Sequence, residues 1–425
     1  MTIIQYLKSL PAVRERCSHV FDLAKQNKLQ YFTYNEEKES DVAEFCISLL
    51  KRDYGTDLTK IQPHSRWRHL DVDTPRVEQL FQEWKDIDIK EKARRIVDLT
   101  FVSVLLDAGA GPAWKYTEPD SGKVYVRSEG IAVASVHMFK DGYFSSNKDN
   151  PYQVDSRGLS YLSILRVEQG MQADDDTNPI VGIIGRTRLL FDLAKSLKYS
   201  NHIYESMPGR PGNMIDYMES KLQEAKDGTK FLPFDILWDA LIELFFLWPS
   251  ETKIGRTTLG DVWPCPALEG ASGDQKEEGD GLVPFHKLCQ WLAYSLIEVL
   301  ERILQWRIEG KEILTGLPEY RNGGLLMDLG VLVLKPDSLP INKSTGLPRV
   351  PATHPAIVEW RALTVIGLDR VAAVIRKELG LTESQLTLAQ LLEGATWKGG
   401  REIAKIRRPA TGGPPIEIES DATIF

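Results

Sequence analysis

An acid, a phenol and a guanidinium stand side by side at Glu319-Tyr320-Arg321, followed by Gly323 and Gly324 and by an apolar run, Leu325 to Leu334, that carries the single acid Asp328. A charged trio at the lip of a run that enters a core must be paired or must face a cavity, because an uncompensated buried charge costs several kcal/mol. A Glu319–Arg321 ion pair in a turn bent at the glycines would be purely structural. A carboxylate at a pocket edge would instead do acid–base or electrostatic work. His64-Ser65-Arg66-Trp67-Arg68-His69 sets two imidazoles and two guanidiniums around an indole. The histidines are off the one-face spacing of a helix and lack a carboxylate at the needed step, so the metal reading is weak. Arg66 and Arg68 share a face on an extended segment and suit an anion or a urea group, although a salt-bridge cluster accounts for the same residues. Asp261 lies between Gly260 and Trp263, a fair setting for a site acid. Asp235, Asp239 and Glu243 recur at steps of four, a stripe that suits a metal, a water or plain solvent.

The elements that must hold these groups read as mostly helical. Apolar residues recur at three and four in Val13 to Ala24, Val42 to Leu50, Val77 to Trp84 and Ala93 to Leu106. Asp107 to Gly111 breaks the last of these. Trp114-Lys-Tyr116 and Val124-Tyr-Val126 then flank Pro119 to Gly122 as a short hairpin, and a helix follows Arg127-Ser128-Glu129-Gly130. Trp114 and Tyr116 suit the wall of a small-ligand pocket, or simple packing. Gly182 to Gly185 before Arg186 lacks the Lys-Ser/Thr of a phosphate loop and reads as a tight turn.

Phe231 to Trp248 reads as an apolar helix broken by Pro249, and Glu269 to Gly281 as an exposed loop. Pro284 opens a helix from Phe285 to Glu309, ended by Gly310, with His286, Lys287 and Gln290 in its first turns, where free N–H groups and the macrodipole favour an anion. Lys335 to Pro355 holds five prolines and reads as a loop. His354-Pro355 starts a helix to Leu379, closed by Gly380; its first turns carry Glu359, Trp360 and Arg361, and the next are apolar on every side. Such a helix is buried, so Glu359 and Arg361 are not surface charges. The expected architecture is a mainly α-helical, single compact catalytic domain over 1–425 with a small β hairpin insertion, a Pro-rich loop at 336–355 and a flexible tail at 409–425.

Composition is that of an ordinary globular protein: 425 residues, 42% hydrophobic, 26% charged, net charge −8. No basic stretch is long enough to track a phosphate backbone, which argues against nucleic acid as a partner. Cys17, Cys46, Cys265 and Cys289 form no Cys-x-x-Cys pair, so neither a disulfide framework nor a thiolate zinc site is expected, and a reducing cytoplasm fits. The N-terminus lacks the pattern of a secretory signal, and the most apolar window, Ile236 to Trp248, is too short to cross a bilayer. A membrane role is not expected.

Three segments stand in order: Pro284-Phe-His-Lys287-Leu-Cys-Gln290, Glu319-Tyr-Arg321 before Leu-Gly-Val, and Val358-Glu-Trp-Arg361. Over nearly its full length, including His64 to His69, Asp107 to Gly130 and Asp261, the chain resembles the family of the fourth protein of the fungal and bacterial uracil-catabolism pathway, a family catalogued as of unknown function. The three segments also resemble, more distantly, the queuosine-salvage proteins, helical N-glycoside hydrolases related to the helix-hairpin-helix DNA glycosylases. By that similarity Glu319 falls where the salvage enzymes have Asp, and Tyr320, Arg321, Lys287, Gln290, Glu359 and Arg361 fall on matching types. The chain departs from the salvage pattern at Asn322-Gly323-Gly324, which replaces a proline, and at His286, which replaces an aromatic residue; both touch the leaving-group pocket.

Together the two resemblances imply an N-glycosidase that takes a small nucleoside- or nucleotide-derived substrate of ribosyl-urea type, with or without a 5'-phosphate. Such a reaction calls for a carboxylate below the sugar and a donor at the leaving nitrogen, with no metal or organic cofactor. Glu319 and Glu359 are the expected carboxylates, joined by Asp261 as a third acid, with Arg321 and Arg361 orienting them. Tyr320, Gln290, Trp114, Arg66 and Arg68 are expected to bind substrate, and His286 and Lys287 to hold a phosphate. Two other classes fit the same residues: a metal-dependent ureide amidohydrolase using His64, His69, Asp235 and Asp239, and a non-catalytic binding or scaffold subunit.

Overall fold

A computed structural model describes residues 1–200, 202–204, 208–244, 252–271 and 277–419. They are mainly helical, as expected, and their strands form small sheets of two or three. The described residues fall into two compact units. One comprises residues 1–64 with the described parts of 249–290 and 312–419; the other comprises the described parts of 65–248 with 291–311.

The first unit is built on helix Pro355–Leu379. His354 caps it by accepting from Ala356 N at 3.1 Å, Pro355 sits where no N–H partner is needed, and Gly380 ends it at φ +66. Every residue from Ala356 to Leu368 is buried, in line with a sequence that is apolar all round. Helices Leu10–Lys25 and Glu39–Tyr54 pack on it, as does helix Tyr320–Asp328. The Glu319-Tyr-Arg stretch is therefore a helix start and not a bent turn, and Gly323 and Gly324 are helical residues. Their value is close approach: a Cβ on Gly323 would lie 2.6 Å from Trp360 Nε1 and 2.8 Å from Thr364 Oγ1, whereas one on Gly324 would meet only Pro415 Cδ at 3.2 Å. Both alanines gain the same helix propensity, so Gly323→Ala should be less stable than Gly324→Ala by about 1–3 kcal/mol, the cost of overpacking. Equal denaturant midpoints for the two variants would refute this account of the crossing.

Asp328, the lone acid of the run, is paired with Arg408, whose Nη1 donates at 2.8 Å. Strand Phe32–Tyr34 runs antiparallel to Leu332–Leu334, with Phe32 opposite Leu334, and Val262–Pro264 runs antiparallel to Leu282–Pro284. This second pairing corrects the expected helix start. Pro284 ends a strand, His286 turns the chain at φ +47, and the helix runs only from Lys287 to Ile303. Within the expected Pro-rich loop, Arg349–Pro351 pairs in parallel with Glu417–Glu419, and Gly412 O accepts from Arg321 Nη1 at 2.6 Å. Residues 409–419 are thus tied to the unit; 420–425 lie outside the described residues.

In the second unit, helices Ile89–Leu105 and Arg127–Lys140 pack together, and the expected hairpin is present as Lys115–Thr117 against Val124–Val126, with Tyr116 opposite Tyr125. Lys230–Pro233 is a strand between Gln223–Glu224 and Arg307–Glu309, so the apolar helix starts at Phe234, later than expected; its expected end, 245–248, lies outside the described residues. The reading of Arg66 and Arg68 as one face of an extended segment is corrected too. Ser65 accepts from Trp67 N and caps a short helix, Arg66–Leu70, on which alternate residues point apart. No helix among the described residues is long and apolar enough to cross a membrane, and the four cysteines are buried and free.

Candidate functional site

In the first unit, the three segments singled out by sequence converge on Arg361. Its Nη1 and Nη2 each lie 2.7 Å from an oxygen of Asp261, its Nε donates to Pro318 O at 3.3 Å, and its guanidinium sits 4.1 Å from the centre of the Phe285 ring. Such a fork-on-fork pair, stacked on an aromatic face, is a rigid joint. It ties the strand at Asp261, the turn at Phe285 and the residue before Glu319 to one helix. Asp261 also accepts from Trp263 Nε1 at 2.7 Å and from Lys287 N at 2.9 Å, while its carbonyl takes Phe285 N at 2.9 Å. The arginine and these donors outweigh the cost of burial and hold its carboxyl at about 2. A carboxylate so neutralised positions its neighbours; it is not left to attack a substrate.

Glu319 is different. It is buried, and its two oxygens accept from the main-chain amides of Arg321 at 2.7 Å and Asn322 at 2.6 Å, so that it caps helix Tyr320–Asp328. The expected structural partner, the Arg321 side chain, instead reaches Gly412 O and lies against the Tyr320 ring. Among the described residues Glu319 makes no ion pair, and burial raises its pKa against the opposing pull of the two amides and of the Lys287 and Arg321 charges. Two more buried polar atoms lie beside it in the chain or on the facing helix, Asn322 Oδ1 and Trp360 Nε1, and neither has a hydrogen-bond partner among the described residues. Buried groups of this kind are rare enough in proteins to mark a place for a ligand.

The remaining residues expected at this site divide sharply. Glu359 does not pair with Glu319 as a second open carboxylate: its oxygens accept from Gln30 N at 3.0 Å and Tyr31 N at 2.9 Å and so hold the entry to strand Phe32–Tyr34. Gln290 exchanges hydrogen bonds with Thr315 and donates to Phe285 O at 3.0 Å, fully buried and turned to its own scaffold. His286 Nε2 lies 2.8 Å from Leu7 O, which can only accept, so that nitrogen carries the proton; burial lowers the pKa and keeps the ring neutral, a poor phosphate ligand. Lys287 and Tyr320 stay half-buried at the starts of their helices.

Arg66, Arg68 and Trp114 belong to the second unit. Arg68 pairs with Glu298, and Trp114 is buried with its indole N–H on Met171 O at 3.0 Å. Of the alternative metal set, His64 Nδ1 lies 2.6 Å from Glu393 Oε2, and His69 lies edge-on to Trp291. Asp235 and Asp239 line helix Phe234–Leu244, where burial and the neighbouring acids raise the pKa of Asp239. Among the described residues no three His, Cys, Asp or Glu side chains come together as a ligand set.

The sequence pattern of a family described as "Protein of unknown function (DUF1688)" matches residues 6–425. The chain belongs to this family. Along nearly its whole length it is also similar to Uracil catabolism protein 4 of Lachancea kluyveri, 41% identical over 440 residues that span 99% of both chains. Protein urg3 of Schizosaccharomyces pombe is 40% identical over 424 residues, 99% of this chain and 98% of its own. The DUF1688 chain therefore has the family that its sequence resembles. Sequence reasoning finds Asn322 only as a departure from the salvage motif, names Trp360 only as a first-turn residue of its helix, with no role, and passes over Thr315. The one available signal is the glycine pair after Asn322, which permits a close approach; the structure uses it at Gly323.

Proposed function

We propose that this protein acts in uracil breakdown as an N-glycoside hydrolase, splitting a ribosyl-urea type intermediate, with or without a 5'-phosphate, into urea and the sugar. The pathway is suggested by the name of the Lachancea kluyveri relative. The observation that supports the reaction is Glu319, a buried carboxylate held by two main-chain amides, beside two polar atoms without partners among the described residues. In this reading the ribosyl C–N bond breaks and its electron pair leaves with the urea nitrogen. Glu319 stabilises or captures the oxocarbenium charge on the sugar. Water adds at the anomeric carbon and gives one proton to Glu319, which passes it on to the leaving urea nitrogen and returns to the carboxylate. Asn322 Oδ1 accepts from the leaving urea N–H, while Tyr320 and Lys287 bind the sugar or its phosphate. Arg361 and Asp261 position the loop that carries Glu319, and Glu359, His286 and Gln290 brace the walls. No step draws on a metal or an organic cofactor. A glycosylase-like helical arrangement and a cytoplasmic location are part of the same proposal.

Ribosylurea and its 5'-phosphate are the test substrates. Reducing sugar and urea should appear in equal amounts, with no ammonia. Ammonia without free sugar would replace the proposal with a ureide amidohydrolase, and saturable binding without any product would replace it with a binding subunit.

A further inference from the structure

The second unit turns apolar side chains to solvent in one short stretch. Of the thirteen large apolar side chains that are exposed among the described residues, six fall within 161–199: Tyr161, Ile164, Leu165, Val181, Ile184 and Tyr199. Tyr161, Leu165, Ile184 and Tyr199 are 72, 71, 67 and 79% exposed. Single apolar residues at a surface need no account, but a concentration of them marks a place of contact. The stretch folds as helices Ser156–Ser160, Ile164–Gly170 and Ile183–Tyr199, and the third packs on the other two. Lys198 Nζ donates to Ser160 Oγ at 3.3 Å, which sets Tyr161 beside the end of the long helix. On that helix Ile184, Arg188, Lys195, Lys198 and Tyr199 are exposed and Phe191 is half-buried. Their spacing draws one outward stripe along its whole length, about 25 Å.

Charge is divided between the two ends of this helix. Ahead of its start lie Asp174, Asp175 and Asp176, all exposed, in a loop held where Asp174 Oδ1 accepts from Asp176 N at 3.1 Å and Thr177 N at 2.8 Å. None of the three makes an ion pair among the described residues. They stand beyond the first turn, where the helix dipole has faded, so the dipole does not account for them. At the other end Lys198 meets only the Ser160 hydroxyl, and Arg157, one turn before Ser160, is exposed; neither has a carboxylate partner among the described residues. Between the ends, Arg188 and Lys195 share Asp192 at 3.8 and 2.9 Å, so the middle is already paired. A surface acidic at one end, basic at the other and apolar between them is complementary to itself after half a turn.

We propose that helix Ile183–Tyr199 is the centre of a two-fold interface with a second copy of this chain. A two-fold axis across the helix runs it antiparallel to its copy. The aspartates of each chain then meet Arg157 and Lys198 of the other, and the exposed apolar side chains close on one another. A strip of this size is at the low end for a specific interface, so the association is reversible. It is independent of the reaction at Glu319. The test is sedimentation of the full chain over a wide range of protein and salt concentration. The wild type should dimerise, less so as salt rises, because the end charges are exposed. Reversing the basic end (Arg157→Glu with Lys198→Glu) or the acidic end (Asp175→Lys with Asp176→Lys) should weaken the dimer by about tenfold or more, since like charges then meet twice across the axis. Mixed together, the two variants should pair with each other as the wild type does with itself, because opposite charges face again at both ends. That recovery also shows that both variants are folded. Ile184→Asp should weaken the dimer whatever the salt. A chain that stays monomeric throughout, a dimer that none of these changes weakens, or charge variants that fail to pair when mixed would overturn the assignment.

Discussion

Asp261→Asn is expected to lower folding stability by about 3–5 kcal/mol, because it leaves the buried Arg361 guanidinium without its counter-charge. The side chain keeps its size and one acceptor, so packing changes little. What is lost is charge, together with the acceptor for one Arg361 nitrogen and for either Trp263 Nε1 or Lys287 N. A pH series on the wild type measures the same interaction by another route. A carboxyl held at about 2, against 3.8 when free, contributes stability that is fully present above its unfolded value and is lost as pH falls from about 4 towards 2. The size is about 2 kcal/mol, taken from the shift of nearly two units. Asp261→Asn should flatten that limb of the pH–stability curve. A variant within 1 kcal/mol (about the median of an exposed pair) of the wild type, with the acid limb unchanged, would remove Arg361 as the joint of the site.

Glu319→Gln is expected to slow release of urea from ribosylurea by about 10²-fold or more. Its effect on stability should be small and mixed. Glutamine keeps one acceptor for the amides of Arg321 and Asn322 but turns its NH₂ towards the other, at a cost of about 0.5–2 kcal/mol for the damaged cap. Against this, the neutral side chain escapes the burial penalty that raises the carboxyl's pKa, a penalty felt only where pH is high enough to ionise it. Turnover and unfolding measured on one sample separate the roles. A purely capping Glu319 would lose activity only in step with unfolding, and a folded, fully active Glu319→Gln would end the catalytic assignment.

Local rules account for much of what was legible. Helix Pro355–Leu379 announces itself through His354-Pro355, its unbroken apolar turns and Gly380, and the hairpin through Pro119 to Gly122 between two aromatic-rich triplets. The misreadings have a common source in partners far along the chain. Pro284 satisfies the local rule for a helix start, yet residues 282–284 pair with a strand twenty residues earlier, at 262–264. Arg361 reads as a ligand for Glu319 until Asp261, 100 residues away, takes both of its nitrogens. Glu359 reads as a catalytic acid because it is buried next to that arginine. The amides that occupy it come from Gln30 and Tyr31, and no spacing rule connects them. The acid of Glu319-Tyr-Arg was legible as special; that it would be held by its own helix start could be read only from coordinates.

The clasp of Glu359 on residues 30 and 31 spans 329 and 328 positions, and Arg14 reaches Asp369 across 355. A ribosome delivers residues 1–64 long before those carboxylates exist. During synthesis helices Leu10–Lys25 and Glu39–Tyr54 therefore emerge with their apolar faces open and must wait for the last quarter of the chain, while the continuous stretch 65–248 gives the other unit most of its residues early. Loss of the C-terminal quarter therefore leaves the beginning of the protein without the helix its own helices pack on.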